Sequence, residues 1–343
     1  MALTRIPAPA IADVREPNFR NIVINGDMAV SQRGTSFASN GYTLDRYTMD
    51  ESTDGAVTVT QDTDVPAGSG FASSLKVDCT TADASIGAAQ YCIFTTKFEG
   101  QNLQYLKYGT SSAQSLTLSF WVKSVKTGTY CISFVKEAGG ETRYECPIEY
   151  TISSASTWEK KTIILTPTAG STTFIQNSAG AIVDSNASGF RVIFTLAAGS
   201  DFHATNNTWV AGSDKLGTSS QVNFLDNTSN NFWLTGVQLE AGSVATDFEV
   251  NTFAQNLERC LRYFQKTYDY ATAPGTSTDQ GKLEMSSTSE GGNNAIFSLS
   301  LKVPLRTTPT VTFYKSDGTL ATWTYGRSGS SGDASMTAYA GRY

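Results

Sequence analysis

One histidine, His203, stands in the 343-residue sequence, within the polar stretch Asp201-Phe-His-Ala-Thr-Asn-Asn207. Any hydroxyl or thiol nucleophile activated by an imidazole would depend on it. No Gly-x-Ser-x-Gly elbow, Walker A loop or His-Glu-x-x-His helix accompanies it, and those are the patterns that place such chemistry. Carboxylates can work without histidine. Glu145 and Glu149, four apart in a strand-like run, share a face but stand about 13 Å apart. That is too far for an acid and a nucleophile flanking one glycosidic bond. Asp62 and Asp64 lie in Gln61-Asp-Thr-Asp-Val-Pro66. This reads as a solvated turn or as one side of a calcium site, because hard cations collect carboxylate and carbonyl oxygens. The chain is therefore read as a non-enzyme, with no cofactor unless Asp62 and Asp64 hold calcium.

Aromatic side chains offer a different chemistry. Trp209, in Asn206-Asn-Thr-Trp-Val210, and Trp323 with Tyr325, in Thr322-Trp-Thr-Tyr325, are flanked by polar residues. Rings in such settings stack on the CH faces of sugars while neighbouring Asn, Asp and Thr bond the hydroxyl edges. These three are the expected carbohydrate-binding residues. Trp121 and Trp233 stand in apolar strands and are read as core.

The elements that must position these residues are mostly strands. Candidates are Tyr42–Met49, Ala56–Gln61, Ser73–Cys79, Ala89–Phe98, Ser115–Ser124, Thr129–Lys136, Thr142–Ile152, Thr157–Leu165, Phe190–Leu196 and Asn231–Glu240. Leu116, Leu118, Phe120 and Val122 alternate onto one face, and turn clusters such as Asp54-Gly55 and Lys126-Thr-Gly128 separate the runs. About ten short strands with no helices between them predict an antiparallel jelly-roll β-sandwich over 19–250. The period then changes. Phe253, Leu257, Leu261, Phe264 and Tyr268 share one helical face, Thr252 and Gln255 form a capping box, and Pro274-Gly275 ends the segment. Residues 251–273 are thus a helix and linker. Residues 274–343 read as a small β domain, with strands at 311–314 and 319–325 and with Gly326–Asp333 too rich in Gly and Ser for one. Its roughly 70 residues are marginal for an independent core, so it should lean on the sandwich, the helix or another subunit. Residues 1–18, carrying Pro7, Pro9 and Pro17, read as an extended arm.

The composition narrows the class. Lys and Arg number 25 against 31 Asp and Glu, a net charge of −6, and charged residues are only 16%. Nucleic-acid binding needs clustered cations and is not expected. Ser and Thr make up about a quarter of the chain, giving a neutral, hydroxyl-covered surface. No apolar run is long enough for a membrane span, and the first residues lack the apolar segment of a secretory signal. Synthesis in a cytoplasm follows as the expectation. Five cysteines, with no Cys-x-x-Cys, predict free buried thiols.

Several motifs, in order, carry a resemblance: Asn21-Ile-Val-Ile-Asn-Gly-Asp-Met28, Ser31-Gln-Arg-Gly34, Tyr42-Thr-Leu-Asp-Arg-Tyr47, Ser115–Ser124, Thr157-Trp-Glu-Lys-Lys-Thr162, Leu234–Gly242 with Ala245–Glu249, Leu257–Phe264 and Val303–Val311. Over residues 19–315 the chain resembles the jelly-roll domain of tail-fibre and other virion proteins of tailed bacteriophages, which is itself similar to carbohydrate-binding-module sandwiches. The resemblance implies a virion location, other virion proteins as partners, a homotrimer, and contact with a host surface glycan without catalysis. The shared motifs look structural, Asp45 and Arg46 making an ion pair or backbone contacts and Gln238-Leu-Glu240 a last strand. The alternatives are a structural adaptor, head-decoration or fibre-anchoring protein, and then a polysaccharide depolymerase.

Overall fold

The computed structural model describes residues 19–281 and 300–334, except 39, 138–142, 213, 321, 322, 328 and 329, with side chains as far as residue 320. The strands are β1 (Ser36–Phe37), β2 (Gly41–Tyr42), β3 (Tyr47–Ser52), β4 (Ala56–Asp62), β5 (Ser74–Thr81), β6 (Tyr91–Glu99), β7 (Leu116–Ser124) and β8 (Gly128–Lys136). They continue with β9 (Tyr144–Ile152), β10 (Glu159–Leu165), β11 (Ser188–Ala198), β12 (Val210–Ala211) and β13 (Asn231–Ala241). Helix α1 (Phe253–Leu261) and the hairpin strands β14 (Trp323–Arg327) and β15 (Ser330–Ala334) follow.

Two antiparallel sheets form a sandwich: six strands in the order β1-β4-β5-β13-β7-β10, and seven in the order β12-β9-β8-β11-β6-β3-β2. Ladders pair β8 with β9, β7 with β10, β6 with β11 and β5 with β13, each enclosing the one before and falling in alternate sheets. A long hairpin rolled in this way is the predicted jelly roll.

Period-two alternation explains the core. Leu116, Leu118, Phe120 and Val122 of β7 point inward and are fully buried, as are Phe232 and Leu234 of β13 and Phe190, Val192 and Phe194 of β11. Phe94 stacks on Phe194 with ring centroids 4.9 Å apart, and Phe120 meets Phe194 edge-on at 5.5 Å. All five cysteines are free and buried. Burial pushes the Cys79 and Cys131 thiols up to about 11.

Three expectations change. The helix spans nine residues rather than the whole 3.6-period stretch, although its capping box is present: Gln255 N donates to Thr252 Oγ1 (3.3 Å) and Thr252 N to Gln255 Oε1 (2.9 Å). It docks through Asn256 and Cys260, while Phe253 remains 47% exposed. Gly326–Asp333 supplies much of the β14–β15 hairpin, because backbone pairing requires main-chain groups and not large side chains. Of the expected strand at 311–314, only an isolated bridge from Tyr314 to Leu320 forms. The arm at 1–18 lies outside the described residues. No helix among the described residues is long and apolar enough to cross a membrane.

Candidate functional site

The two outer sheet faces are finished differently. On the seven-stranded sheet, the segment after β11 folds back as a roof: Leu216 packs on Ile93, Val135 and Ile193, and Thr195 Oγ1 donates to the Leu216 carbonyl at 2.6 Å. Glu145 fastens this roof by accepting from Asp214 N (2.9 Å) and Lys215 N, with Arg143 paired beside it at 2.9 Å. Burial raises its pKa; those donors and Arg143 oppose the rise. Glu149 accepts from Thr218 Oγ1 at 2.6 Å. Both glutamates therefore serve the roof.

The six-stranded sheet keeps aromatic residues on its outer face. Alternation that sends Phe120 and Val122 inward sends Trp121 and Lys123 outward, and inward Phe232 and Leu234 leave Trp233 outward. Both tryptophans are only half-buried, which corrects their reading as core. Trp233 sits opposite Lys76 of β5 and Lys123 of β7. Trp158, just before β10, continues the row. Lys123 Nζ lies 4.2 Å from the Trp233 ring centroid and 5.4 Å from that of Trp158, and Lys76 Nζ lies 5.5 Å from Trp233. Cations and rings thus alternate across the strands, each ammonium lying in the attraction of a π face. Strand spacing puts Trp233 and Trp158 roughly 10 Å apart along the row, about the length of two linked pyranose rings.

Asp62 and Asp64 set the edges of these rings. Trp233 Nε1 donates to Asp62 Oδ2 at 3.1 Å, and Trp158 Nε1 to Asp64 Oδ1 at 3.0 Å, while Asp64 Oδ2 pairs with Lys123. Burial works to raise the Asp64 pKa, but Lys123 and Trp158, with Lys76 beyond, hold it below its ordinary value. This corrects the calcium reading. The oxygens that a cation would need are taken by two indole N–H groups and an ammonium, whose charge repels a dication. No group of three or more His, Cys, Asp or Glu among the described residues is placed to hold a metal.

Trp209 is also corrected. It is 1% exposed, and its Nε1 donates to the Thr166 carbonyl at 3.1 Å. Polar neighbours in sequence were a poor guide, because the residue just before β12 turns its ring into the core and leaves no face for a sugar. Trp323 and Tyr325 stand two apart on β14, and their side chains lie outside the described residues. His203 is half-buried, with Nε2 3.0 Å from the Ala198 carbonyl. A hollow of about 150 Å³ at the sandwich edge, between Phe37, Asn40, Met49 and Val57, is smaller than the ~300 Å³ at which ligand pockets begin.

Residues of the motifs Asn21–Met28, Ser31–Gly34, Tyr42–Tyr47 and Leu257–Phe264 form a separate, largely buried network. Asn25 accepts from Val30 N (2.8 Å) and donates to the carbonyls of Val30 and Asp45 (both 2.9 Å). A Cβ on Gly26 would lie 2.1 Å from the Val237 carbonyl oxygen, so only glycine fits there. Asp45 accepts from Gln32 N (2.7 Å) and Nε2 (2.8 Å), with Arg33 at 3.8 Å. Arg46 donates to the Lys97 carbonyl and lies 3.4 Å over the Tyr263 ring. Asp45 and Arg46 thus have separate partners. Glu99 binds Arg262 through two 2.8 Å bonds and accepts from the Tyr263 hydroxyl at 2.6 Å. These contacts fasten α1 and its continuation to the sandwich.

No family model and no curated protein matches the chain. Among solved structures, the enzymatically active domain of tailspike protein 4 of bacteriophage CBA120 is similar over 65% of this chain at 16% identity, with a TM-score of 0.34. The chain spans 21% of that tailspike's length. The family 11 carbohydrate-binding module of Clostridium thermocellum, in complex with a β-1,3-1,4-mixed-linked tetrasaccharide, is similar over 62% of this chain and 99% of its own, at 12% identity and a TM-score of 0.30. The N-terminal CBM22-1–CBM22-2 tandem domain of Paenibacillus barcinonensis Xyn10C is similar over 62% of this chain and 50% of its own, at 13% identity and a TM-score of 0.32.

Proposed function

We propose that this chain is a non-catalytic, glycan-binding virion protein, a tail-fibre or receptor-binding component that meets host surface sugar on the outer face of the six-stranded sheet. One observation carries the reading: three of the five tryptophans, Trp121, Trp158 and Trp233, gather half-buried on this face. Indoles held at fixed angles by carboxylates suit sugar rings, whose CH groups pack on aromatic surface and whose hydroxyls need nearby acceptors. Weak single contacts would be multiplied by several copies in a homotrimer. The test is adsorption of labelled full chain to candidate host cells, competed by phage. Saturable, phage-displaced binding that falls at least about tenfold in Trp158→Ala and Trp121→Ala supports the reading; unchanged binding in both variants would sink it.

A structural-adaptor reading has its own observation. Val244, Val250, Phe253, Tyr270, Leu301 and Leu320 are all exposed, and all lie beyond the last sandwich strand. Another virion protein covering them would identify that role.

A further inference from the structure

We propose that the ligand of the tryptophan face is an acidic glycan, and that Asp64 occupies the place of its carboxylate. This rests on the glycan-binding reading above and names the sugar class. The side chain of Lys123 is only 9% exposed, and among the described residues its one carboxylate partner is Asp64. Lys76, by contrast, has Asp78 at 3.8 Å on its own strand. The Asp64 partner is not part of the sheet. It comes from the connection between β4 and β5, and its side chain is 43% exposed.

Part of that connection lies on the face, where Phe71 sits over Gly236 beside Trp121, and part of it stands off. Gly68 and Gly70 adopt left-handed backbone (φ 72° and 80°), and apart from their chain neighbours no atom lies within 4 Å of where either Cβ would be. Asp64 itself is held by its N–H to Asp62 Oδ1 (3.0 Å) and by Ser74 Oγ donating to its carbonyl (2.6 Å). One exposed carboxylate thus receives an ammonium and an indole N–H that are both fixed on the sheet.

A nearly buried ammonium stripped of its counter-ion is costly. A neutral sugar that displaced Asp64 would strand Lys123, whereas a uronic-acid carboxylate would take over both donors while its ring lay against the indoles. Asp62 remains on Trp233 throughout and keeps that ring in place. The carboxylate of the chain therefore selects for a ligand that replaces it in kind.

The test compares polygalacturonate with the same polymer methyl-esterified, so that only charge differs, using affinity electrophoresis of the full-length chain. Wild type is expected to bind the acid form at least about tenfold more tightly, the value of one charge-assisted bond. Asp64→Asn should tighten binding of the acid form about tenfold further by removing the competitor. Asp62→Asn, which removes equal charge without touching Lys123, should not. Lys123→Met should abolish the preference. Circular dichroism melts confirm that each variant folds. Equal binding of both polymers, or the same gain in Asp62→Asn, overturns the acidic class and leaves the glycan reading standing. Retention of neutral glycans alone does likewise. No retention of any glycan by wild type or Asp64→Asn, with host-cell adsorption also absent, overturns both.

Discussion

Trp209 and Trp158 both donate an indole N–H, one to a carbonyl inside the sandwich and the other to a carboxylate at its surface. The destinations separate stability from recognition. Trp209→Phe removes a buried bond while the Thr166 carbonyl keeps the Ala169 N–H at 3.1 Å, a loss of about 0.5–1.5 kcal/mol, to be read in a urea melt, with glycan binding unchanged. Trp158→Phe should leave the melt nearly unmoved. The buried thiols allow a second check. With Cys79 and Cys131 pushed up to about 11 and all five buried, native protein at pH 8 should resist iodoacetamide until it is unfolded. The alternation in Leu116–Val122 implies an outer-face position for Trp121 and Lys123, and the same logic applies to Trp233, yet both tryptophans read as core. The apolar company of these residues in sequence hid it. What no local pattern contained was the partnership of Asp62 and Asp64 with rings 171 and 94 positions away, since pairing across a rolled sheet is set by register and not by neighbours in sequence.

At the scale of elements, α1 is short, and its attachment is polar. Its capping box was legible because its two side chains lie three residues apart. Its true buried face was not, because the sandwich offers Asp27 to Asn256 at 3.1 Å where a hydrophobic stripe would have predicted apolar contacts. Thr252→Ala should cost about 1 kcal/mol of local stability, seen as faster hydrogen exchange at the first helical turn. Glu99 gives the attachment a pH limit. Burial works to raise its pKa, but Arg262, Tyr263 and the more distant Arg306 hold it below its ordinary value. A lowered carboxylate pKa means that the folded state binds fewer protons than the unfolded. The stabilisation is therefore complete above the unfolded pKa and is lost as pH falls through the folded one. Exchange in residues 253–270 should rise on acidification below about pH 4, and Glu99→Gln should show that faster exchange already at pH 7.

At the scale of the whole molecule, the exposed apolar side chains are unevenly shared. The region after the sandwich carries Val250 at 85% and Leu320 at 57% exposure. If copies of the chain cover this region, sedimentation should show an oligomer, and Val250→Asp with Phe253→Asp should reduce it to monomer while the sandwich stays folded. The jelly roll also brings its entry and exit together. Arg20 N and Asn21 N donate to the Glu249 carboxylate at 3.2 and 2.6 Å, and Ile22 N to the Leu239 carbonyl at 2.8 Å. Past the bulge at Gly236, the free edge of β13 is taken by residues 21–26 instead of β5. Mechanically, this is a short circuit. Tension entering through residue 19 and leaving through residue 250 passes across these few bonds without travelling around the roll, so a pull along the chain would leave the tryptophan row unstretched and its grip unchanged.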